Sequence, residues 1–372
     1  FEFNKKIYMK KNLIFFLPNF SSGGAGNSIL NICKNLNKKK YNIYVISLQK
    51  NFYKSELIKH CKEVKEIEGT STLFCLKKIE NYINNFDKAH TLVISNINYA
   101  NAVFVIFFKI FKKYKLVLIE RTPYQELKIY YNIKDAIKKF IIKIFIQLFY
   151  NKADRLIANS KKTAMDYEKI IKKKCFYVYP LSHHKNKIIK KKKNLKKEIK
   201  ILTIARLSRE KNIKDQIYAL KKINDKRFQL NIIGDGSLKI ELEKLINKLN
   251  VKSKIFKYSD KNKEKFLLKS DMYVCSSDFE GFPNTVVEAI NYGLPVISTK
   301  SHGGINEILL NGSGGEYYKS RNISDLSNKI KKIVKFYKTS LKKNNRAKKK
   351  LHRFSKKNIK KYEKIFDKIL IK

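Results

Sequence analysis

The sequence predicts an α/β protein of two βα domains with parallel sheets, and three observations carry that reading. Short apolar runs alternate with amphipathic helical patterns along the first half of the chain; the rhythm stops at the lysine-rich stretch KNKIIKKKKNLKKEIK (185–200); it then restarts. With 372 residues and 43 % hydrophobic content, the chain has the length and apolar material for two domains of ordinary size.

The elements follow in order. NLIFFL (12–17), YNIYVISL (41–48), TLVISN (91–96), YKLVLIE (114–120), RLIAN (155–159) and CFYVY (175–179) read as buried strands, because short continuous apolar runs suit a sheet covered on both faces. Between them Ile29, Leu30, Ile32, Cys33 and Leu36 share a helical face, as do apolar positions in 97–111 and 128–150. After the lysine-rich stretch, IKILTIA (199–205), FQLNIIG (228–234), DMYVCSS (271–277) and LPVIST (294–299) read as strands, with helices near 213–223, 237–249 and 285–292. Such alternation indicates parallel sheets. We place the domains at 1–185 and 200–350, a linker at 186–199, and a basic C-terminal helix at 351–372 that is expected to pack back on the first domain. The chain opens FEFNKKIY before MKKNLIFFLPNF, and Met9 is read as the start, with eight residues of upstream extension.

The formal charge of +52 would suit nucleic acid or an anionic membrane. The basic residues are 75 Lys against 8 Arg, spread along the whole chain among many Asn, Ile, Tyr and Phe. That joint enrichment is the mark of an AT-rich coding sequence, and no arginine-rich or aromatic-basic module of a nucleic-acid reader accompanies it, so no nucleic-acid partner is expected. Attraction to acidic lipid remains, at about 1 kcal/mol for each basic residue near the surface. FIIKIFIQLFY (140–150), with Lys138, Lys139 and Lys143, fits a membrane-surface helix; a helix packed on the sheet explains it as well. The five cysteines form no C-x-x-C, the six His have no metal-ligand spacing, and His183-His184 reads as a linker accident. A reducing cytoplasm with no disulfide framework or zinc site is therefore expected. No apolar run approaches the ~20 residues of a span.

Four features carry chemistry. The first is LPNFSSGGAGNS, where Gly23 and Gly24 let backbone approach a ligand ahead of a helix N-terminus; it lacks the G-x-G-x-x-G spacing of a dinucleotide site, and a purely structural turn fits it too. The second is IARLSREKNI, where Arg206 and Lys211 follow a strand and suit a diphosphate. In the third, IIGDGSLKIELEKL, Gly236 belongs to a tight strand-to-helix turn that suits ligand contact or plain turn chemistry.

The fourth is SDFEGFPNTVVEAINYG (277–293). It lies within Ser270–Thr299, a window of 30 residues with no Lys or Arg, where 83 basic residues in 372 would put about 6 or 7. Burial excludes lysine and explains part of this gap. Gly281 and Pro283 force a turn, a helix follows, and amides near Asn284–Val286 are donors for an anion, flanked by Glu280 and Glu288. Thr285-x-x-Glu288 also fits a capping box, in which Glu288 would cap its own helix.

EGFPNTVVEAINYGLPVIST resembles the E-x7-E signature of the family 4, GT-B type glycosyltransferases (glycosyl transferases group 1). SHGGINEILLNG, GGAGNSILNICKNL, RLIANSKKTAMDY, TIARLSREKNIKDQIYAL and LNIIGDGSLKIELEKLI are similar to that family's other segments, in its order, over nearly the whole chain. The resemblance implies two Rossmann-like βα domains facing across a cleft, with C-terminal helices. It implies that Arg206 and Lys211 bind the donor diphosphate with Gly23 and Gly24 approaching it, that Glu288 binds the nucleotide ribose, and that Glu280 holds sugar hydroxyls. Gly281, Phe282, Pro283, Asn284 and Thr285 would line the sugar and phosphates, largely through backbone amides, with Glu280, Arg206 and Lys211 as the catalytic set. Two positions depart from the family: Glu120-Arg121-Thr122 stands where many relatives carry a His, making Arg121 the candidate for sugar or acceptor contact, and Tyr258 stands where a glycine is usual.

What the resemblance implies for function is retaining transfer of a hexose or N-acetylhexosamine from a nucleotide sugar, UDP-linked, to a glycan or polyprenyl-linked oligosaccharide acceptor. Its setting would be bacterial surface polysaccharide synthesis, at the cytoplasmic face of an anionic membrane. The resemblance implies no metal or other cofactor, the nucleotide sugar being a substrate, and no D-x-D occurs. The rival readings are a nucleotide-sugar epimerase or phosphorylase on the same scaffold, and a polyanion-binding protein.

Overall fold

The computed structural model describes residues 10–20, 23–182, 195, 198–301 and 303–371. Residues 1–9, Met9 among them, with Ser21, Ser22, His183-His184, Lys185, His302, Lys372 and most of the 186–199 linker, lie outside the described residues. The chain divides into two compact units, one running to Leu181 and resuming at Lys356, the other spanning Ser182–Ser355.

The first unit holds β1 (Lys11–Phe16), β2 (Tyr41–Ser47), β3 (Glu63–Glu66), β4 (Thr91–Asn96), β5 (Lys115–Glu120), β6 (Arg155–Ala158) and β7 (Cys175–Tyr177). They form one sheet in the order β3-β2-β1-β4-β5-β6-β7, with every pairing parallel. The apolar runs are continuous because both faces are covered: along β1, Ile14 and Phe16 enter one core, Leu13 and Phe15 the other. That second core takes in Tyr362, Ile365 and Phe366 of the C-terminal helix. Phe366 packs edge-on against Phe15 with ring centroids 6.4 Å apart, and Tyr41 donates a 2.7 Å hydrogen bond to Asp367.

The second unit holds β8 (Ile199–Ile204), β9 (Phe228–Ile233), β10 (Ser253–Phe256), β11 (Met272–Cys275), β12 (Val296–Thr299) and β13 (Glu316–Tyr318). Their order is β10-β9-β8-β11-β12-β13, again wholly parallel. In both sheets the order reverses beside the first strand, between β1 and β4 and between β8 and β11. At such a switch point adjacent connections run to opposite faces, opening a crevice at the carboxyl edge where ligands of open α/β sheets bind.

Three short strands were not foreseen. β3 reads EVKE, with its residues half-buried or exposed, and β10 and β13 are the two edge strands of the second sheet, of four and three residues. A strand at the sheet's margin needs no continuous apolar run, so it leaves little trace in composition. The tail foreseen as helical from 322 is broken into Ile323–Lys335, Tyr337–Lys349 and Ile359–Leu370, with tight 3-10 turns before the last helix.

Candidate functional site

The switch point of the second sheet gathers most of the foreseen residues. The chain leaves β8, passes Arg206, and makes a 3-10 turn at Arg209–Lys211 before the helix Ile213–Ile223. The chain leaves β11 through Ser276–Pro283 into the helix Asn284–Asn291. These two exits are stitched together: the Asp278 amide donates to the Glu210 carbonyl at 2.9 Å, and the Ser276 hydroxyl donates to the Lys211 carbonyl at 2.6 Å. Asp278 accepts hydrogen bonds from Asn212 and Ser320 and pairs with Arg321 at 2.7 Å. Behind them the buried Gln216 bridges Thr203 of β8 and Ser276.

On this frame the Lys211 ammonium donates to Glu280 Oε1 at 2.7 Å, and the Ser277 hydroxyl reaches the same oxygen at 2.7 Å. Burial would lower the Lys211 pKa, but the charge and hydrogen bond of Glu280 outweigh it and hold the group above the ordinary lysine value. Lys211 therefore stays ionised at neutral pH. Arg206 differs: its side chain is 69 % exposed and its guanidinium rests on Glu210 Oε1 at 2.9 Å. Burial pushes the Glu210 pKa up, and the Ser208 hydrogen bond with the Arg206 charge brings it below its usual range. Arg206 therefore projects a cation from an anchored base, whereas Lys211 is locked beside an acid.

Glu288 does not cap its helix. That helix starts at Asn284 after Pro283, with no side-chain cap. Thr285 Oγ1 instead lies 2.8 Å from the Tyr273 hydroxyl. Glu288 Oε1 accepts a 3.0 Å hydrogen bond from Lys263, while its Oε2 is buried with no hydrogen-bond partner. The Lys263 ammonium also stands 6.0 Å from the centroid of the Tyr258 ring. Burial favours neutral Lys263, yet Glu288 and Tyr258 raise its pKa above the usual lysine range. The capping-box reading fails because Tyr273 and Lys263, both distant in sequence, offer these side chains better partners than their own helix end does.

The rest of the turn is positioned by close packing. Phe282 turns its ring into a T-shaped contact with Phe354, centroids 4.9 Å apart, so only its backbone could face a ligand. Among the described residues no backbone–backbone hydrogen bond from the Asn284 or Thr285 amide is present, which leaves them as donors. The Gly304 amide donates to the Gly281 carbonyl at 2.8 Å. Gly303, at φ +106°, lies so near the Glu280 carbonyl that a Cβ would stand 1.8 Å from that oxygen. Gly236, at φ +152°, is pressed against Leu207, where a Cβ would meet the carbonyl oxygen at 2.5 Å. Close packing beside Arg206 thus accounts for that glycine.

Gly23, Gly24 and Arg121 belong to the first unit. Gly23 precedes the helix Gly24–Asn35 at φ −80°, a conformation any residue adopts. Arg121 follows β5 and is buried, with its Nε and one terminal nitrogen donating to Asn96 Oδ1 at 3.1 and 2.8 Å. Asn96 in turn donates to the Phe16 carbonyl at 3.1 Å, tying the ends of β1, β4 and β5. Among the described residues Arg121 has no ion pair with a carboxylate. Burial lowers its pKa, opposed by Tyr362 and Glu120. Glu120 beside it is fully buried and accepts from Asn101 and Tyr150, each at 2.8 Å. Desolvation lifts its pKa to about 7 against those hydrogen bonds.

Lys263, Ser277, Asp278 and Gly303 were not foreseen as site residues. For Gly303 the signal was the Gly-Gly pair in SHGGINE; Lys263 had none, being one lysine among 75. Among the described residues no cluster of three His, Cys, Asp or Glu side chains could hold a metal ion.

A pair of cations suited to a diphosphate, two carboxylates and open helix amides thus stand at one sheet edge. Residues 184–350 match the family model of the glycosyl transferases, group 1. The matched residues span almost the whole second unit, and with it Arg206, Lys211, Glu280 and Glu288. An uncharacterized glycosyltransferase of Methanocaldococcus jannaschii is 33 % identical over 217 residues, 54 % of this chain and 52 % of its own. The N-acetylgalactosamine-N,N'-diacetylbacillosaminyl-diphospho-undecaprenol 4-alpha-N-acetylgalactosaminyltransferase of Campylobacter jejuni is 31 % identical over 201 residues, 53 % of this chain and 54 % of its own. The chain spans about half the length of these curated relatives. Among solved structures, Anabaena HepE in complex with UDP and glucose matches with TM-score 0.78 and 17 % identity, covering 96 % of this chain and 100 % of that one. At that identity the likeness shows the fold, which is GT-B: two Rossmann-like domains with parallel sheets.

Proposed function

We propose that the protein is a retaining glycosyltransferase of family 4 that moves a hexose or N-acetylhexosamine from a UDP-sugar to a glycan or polyprenyl-linked acceptor. Its setting is bacterial surface polysaccharide assembly at the cytoplasmic face of an anionic membrane. One observation carries the reading. At the β8/β11 edge each of two carboxylates commits one oxygen to a lysine, Glu280 to Lys211 and Glu288 to Lys263, while Glu288 Oε2 is buried without a partner. An unpartnered buried carboxylate oxygen is costly, and a ribose hydroxyl would satisfy it. The match of residues 184–350 supports the class. The names of the relatives support an undecaprenyl-diphosphate-linked acceptor, and the structural likeness to a UDP complex supports the donor.

In this mechanism Arg206 and Lys211 take the donor diphosphate, assisted by the Asn284 and Thr285 amides, and Glu280 Oε2 accepts from a sugar hydroxyl. The bond from the anomeric carbon to the phosphate oxygen breaks, the acceptor oxygen bonds to that carbon on the same face, and the departing phosphate takes the acceptor proton. Fixed cations and amides stabilise the growing negative charge, and losing one such contact costs ~10²–10³ in rate. None of these groups requires a metal.

A panel of nucleotide sugars tests the reading. The true donor raises the melting temperature by mass action, and with labelled donor and a polyprenyl-linked acceptor the label moves to the acceptor. Label recovered as an epimerised nucleotide sugar assigns the epimerase reading instead, and no stabilisation by any nucleotide sugar overturns both.

A further inference from the structure

The helix Ile133–Phe149 in the first unit is apolar on two opposite sides. Its inner face buries Ile142 and Ile146 with Lys139, and the Lys139 ammonium is satisfied there by Asp135 and the Ile129 carbonyl at 2.9 and 2.7 Å. Its outer face carries Ile133, Ile137, Phe140, Ile141, Ile144 and Leu148, which are between 38 and 80 % exposed. At 3.6 residues per turn these six fall within an arc of about 100°, a complete amphipathic stripe turned to solvent. Lysines border it. Lys134 and Lys138 are exposed on one flank. On the other, Lys143 bonds the hydroxyl of the half-exposed Tyr130 at 2.8 Å and lies 5.8 Å from the Phe140 ring centroid.

We propose that this outward stripe docks the protein on an anionic lipid bilayer, lying in the interface plane with its isoleucines, Phe140 and Leu148 among the acyl chains and its lysines at the headgroups. Charge selects the occupant. A second copy of a chain with formal charge +52 would bring lysine-flanked faces together and repel, whereas acidic headgroups complement the same border. The helix has 17 residues, and no described helix is long and apolar enough to cross a membrane, so the contact is peripheral. The inference deepens the proposed polyprenyl-linked acceptor by naming the surface that brings the enzyme to it. Its test needs no sugar transfer, so the two readings fail separately.

The full chain is floated with phosphatidylcholine vesicles, with and without phosphatidylglycerol, at low salt and at 1 M, where the Debye length is about 3 Å. Wild type should bind the anionic vesicles and keep a salt-resistant fraction that charge alone would not. The double variant Phe140→Ser/Ile144→Ser keeps every charge and should lose about tenfold or more of that fraction, with its melting temperature retained because both positions are exposed. The chain contains no tryptophan, so Phe140→Trp gives a single reporter whose emission should shift to the blue on anionic vesicles. Equal partitioning of wild type and serine variant at 1 M salt, an unshifted emission, or a lipid-free dimer that the serine variant dissociates would each overturn the proposal.

Discussion

Lys211 and Glu280, 69 residues apart in sequence, form one ion pair of 2.7 Å at the edge of the second sheet. The side chains are only 15 and 18 % exposed, so neither can be removed without stranding the other. Glu280→Ala should therefore lower stability as well as turnover, by about 1–3 kcal/mol, less than the ~3–5 kcal/mol of a fully buried pair. The raised Lys211 pKa sets the sign of the pH dependence. Its contribution is complete below the unfolded lysine value of about 10.4 and is lost as pH rises through the higher folded value. Urea unfolding should show a gap between wild type and Glu280→Gln at pH 9 that shrinks in strong alkali; a constant gap would refute the pairing.

Arg206 offers the cleaner test of chemistry. With its guanidinium 69 % exposed, Arg206→Ala should change stability by no more than about 0.5 kcal/mol while turnover falls ~10²–10³. Near-normal rates in that variant would remove Arg206 from the diphosphate site.

Lys263 holds one oxygen of Glu288 and leaves the other open. Lys263→Met should release that carboxylate and raise KM for the nucleotide sugar about tenfold, the scale of a lost hydrogen bond to a charged group, with kcat nearly unchanged. Steady-state kinetics decide it: a kcat loss at constant KM would place Lys263 in the chemistry rather than in ribose positioning.

Glu120 makes the first unit sensitive to pH in the opposite direction from an ordinary carboxylate. Burial raises its pKa to about 7, so the folded chain keeps a proton that the unfolded chain releases near pH 4.3. Stability from this group is complete below about pH 4.3 and is lost as pH rises to about 7. Glu120→Gln keeps an acceptor for Asn101 and Tyr150 and removes the titration. It should be more stable than wild type at pH 8, by up to about 3 kcal/mol, and close to it at pH 4; identical denaturation curves at pH 8 would show that burial does not raise the Glu120 pKa.

Central strands were legible because both their faces are buried. Ile14 and Phe16 serve one core and Leu13 and Phe15 the other, so β1 is a continuous apolar run. β3, as EVKE, was not, since an edge strand is stabilised by ladder hydrogen bonds that any side chain permits. The gap in lysine over Ser270–Thr299 exposed the site in the same way, because composition drifts everywhere except where packing and function forbid it. Glu288 read equally as a helix cap or a ligand group, and only its neighbour Lys263 separated the two.

The sequence by itself determined the parallel βα architecture, the place of the Glu280–Glu288 turn, and the candidates Arg206 and Lys211, because hydrophobic period, glycine and proline act through nearest neighbours along the chain. The tertiary structure decided which charges meet. That Lys211 faces Glu280, that Lys263 faces Glu288, and that Arg121 is buried against Asn96 with no carboxylate pair among the described residues depends on strands brought together across the sheet. Electrostatic partners are chosen by distance and burial in space, and a lysine-saturated sequence holds no local mark of either.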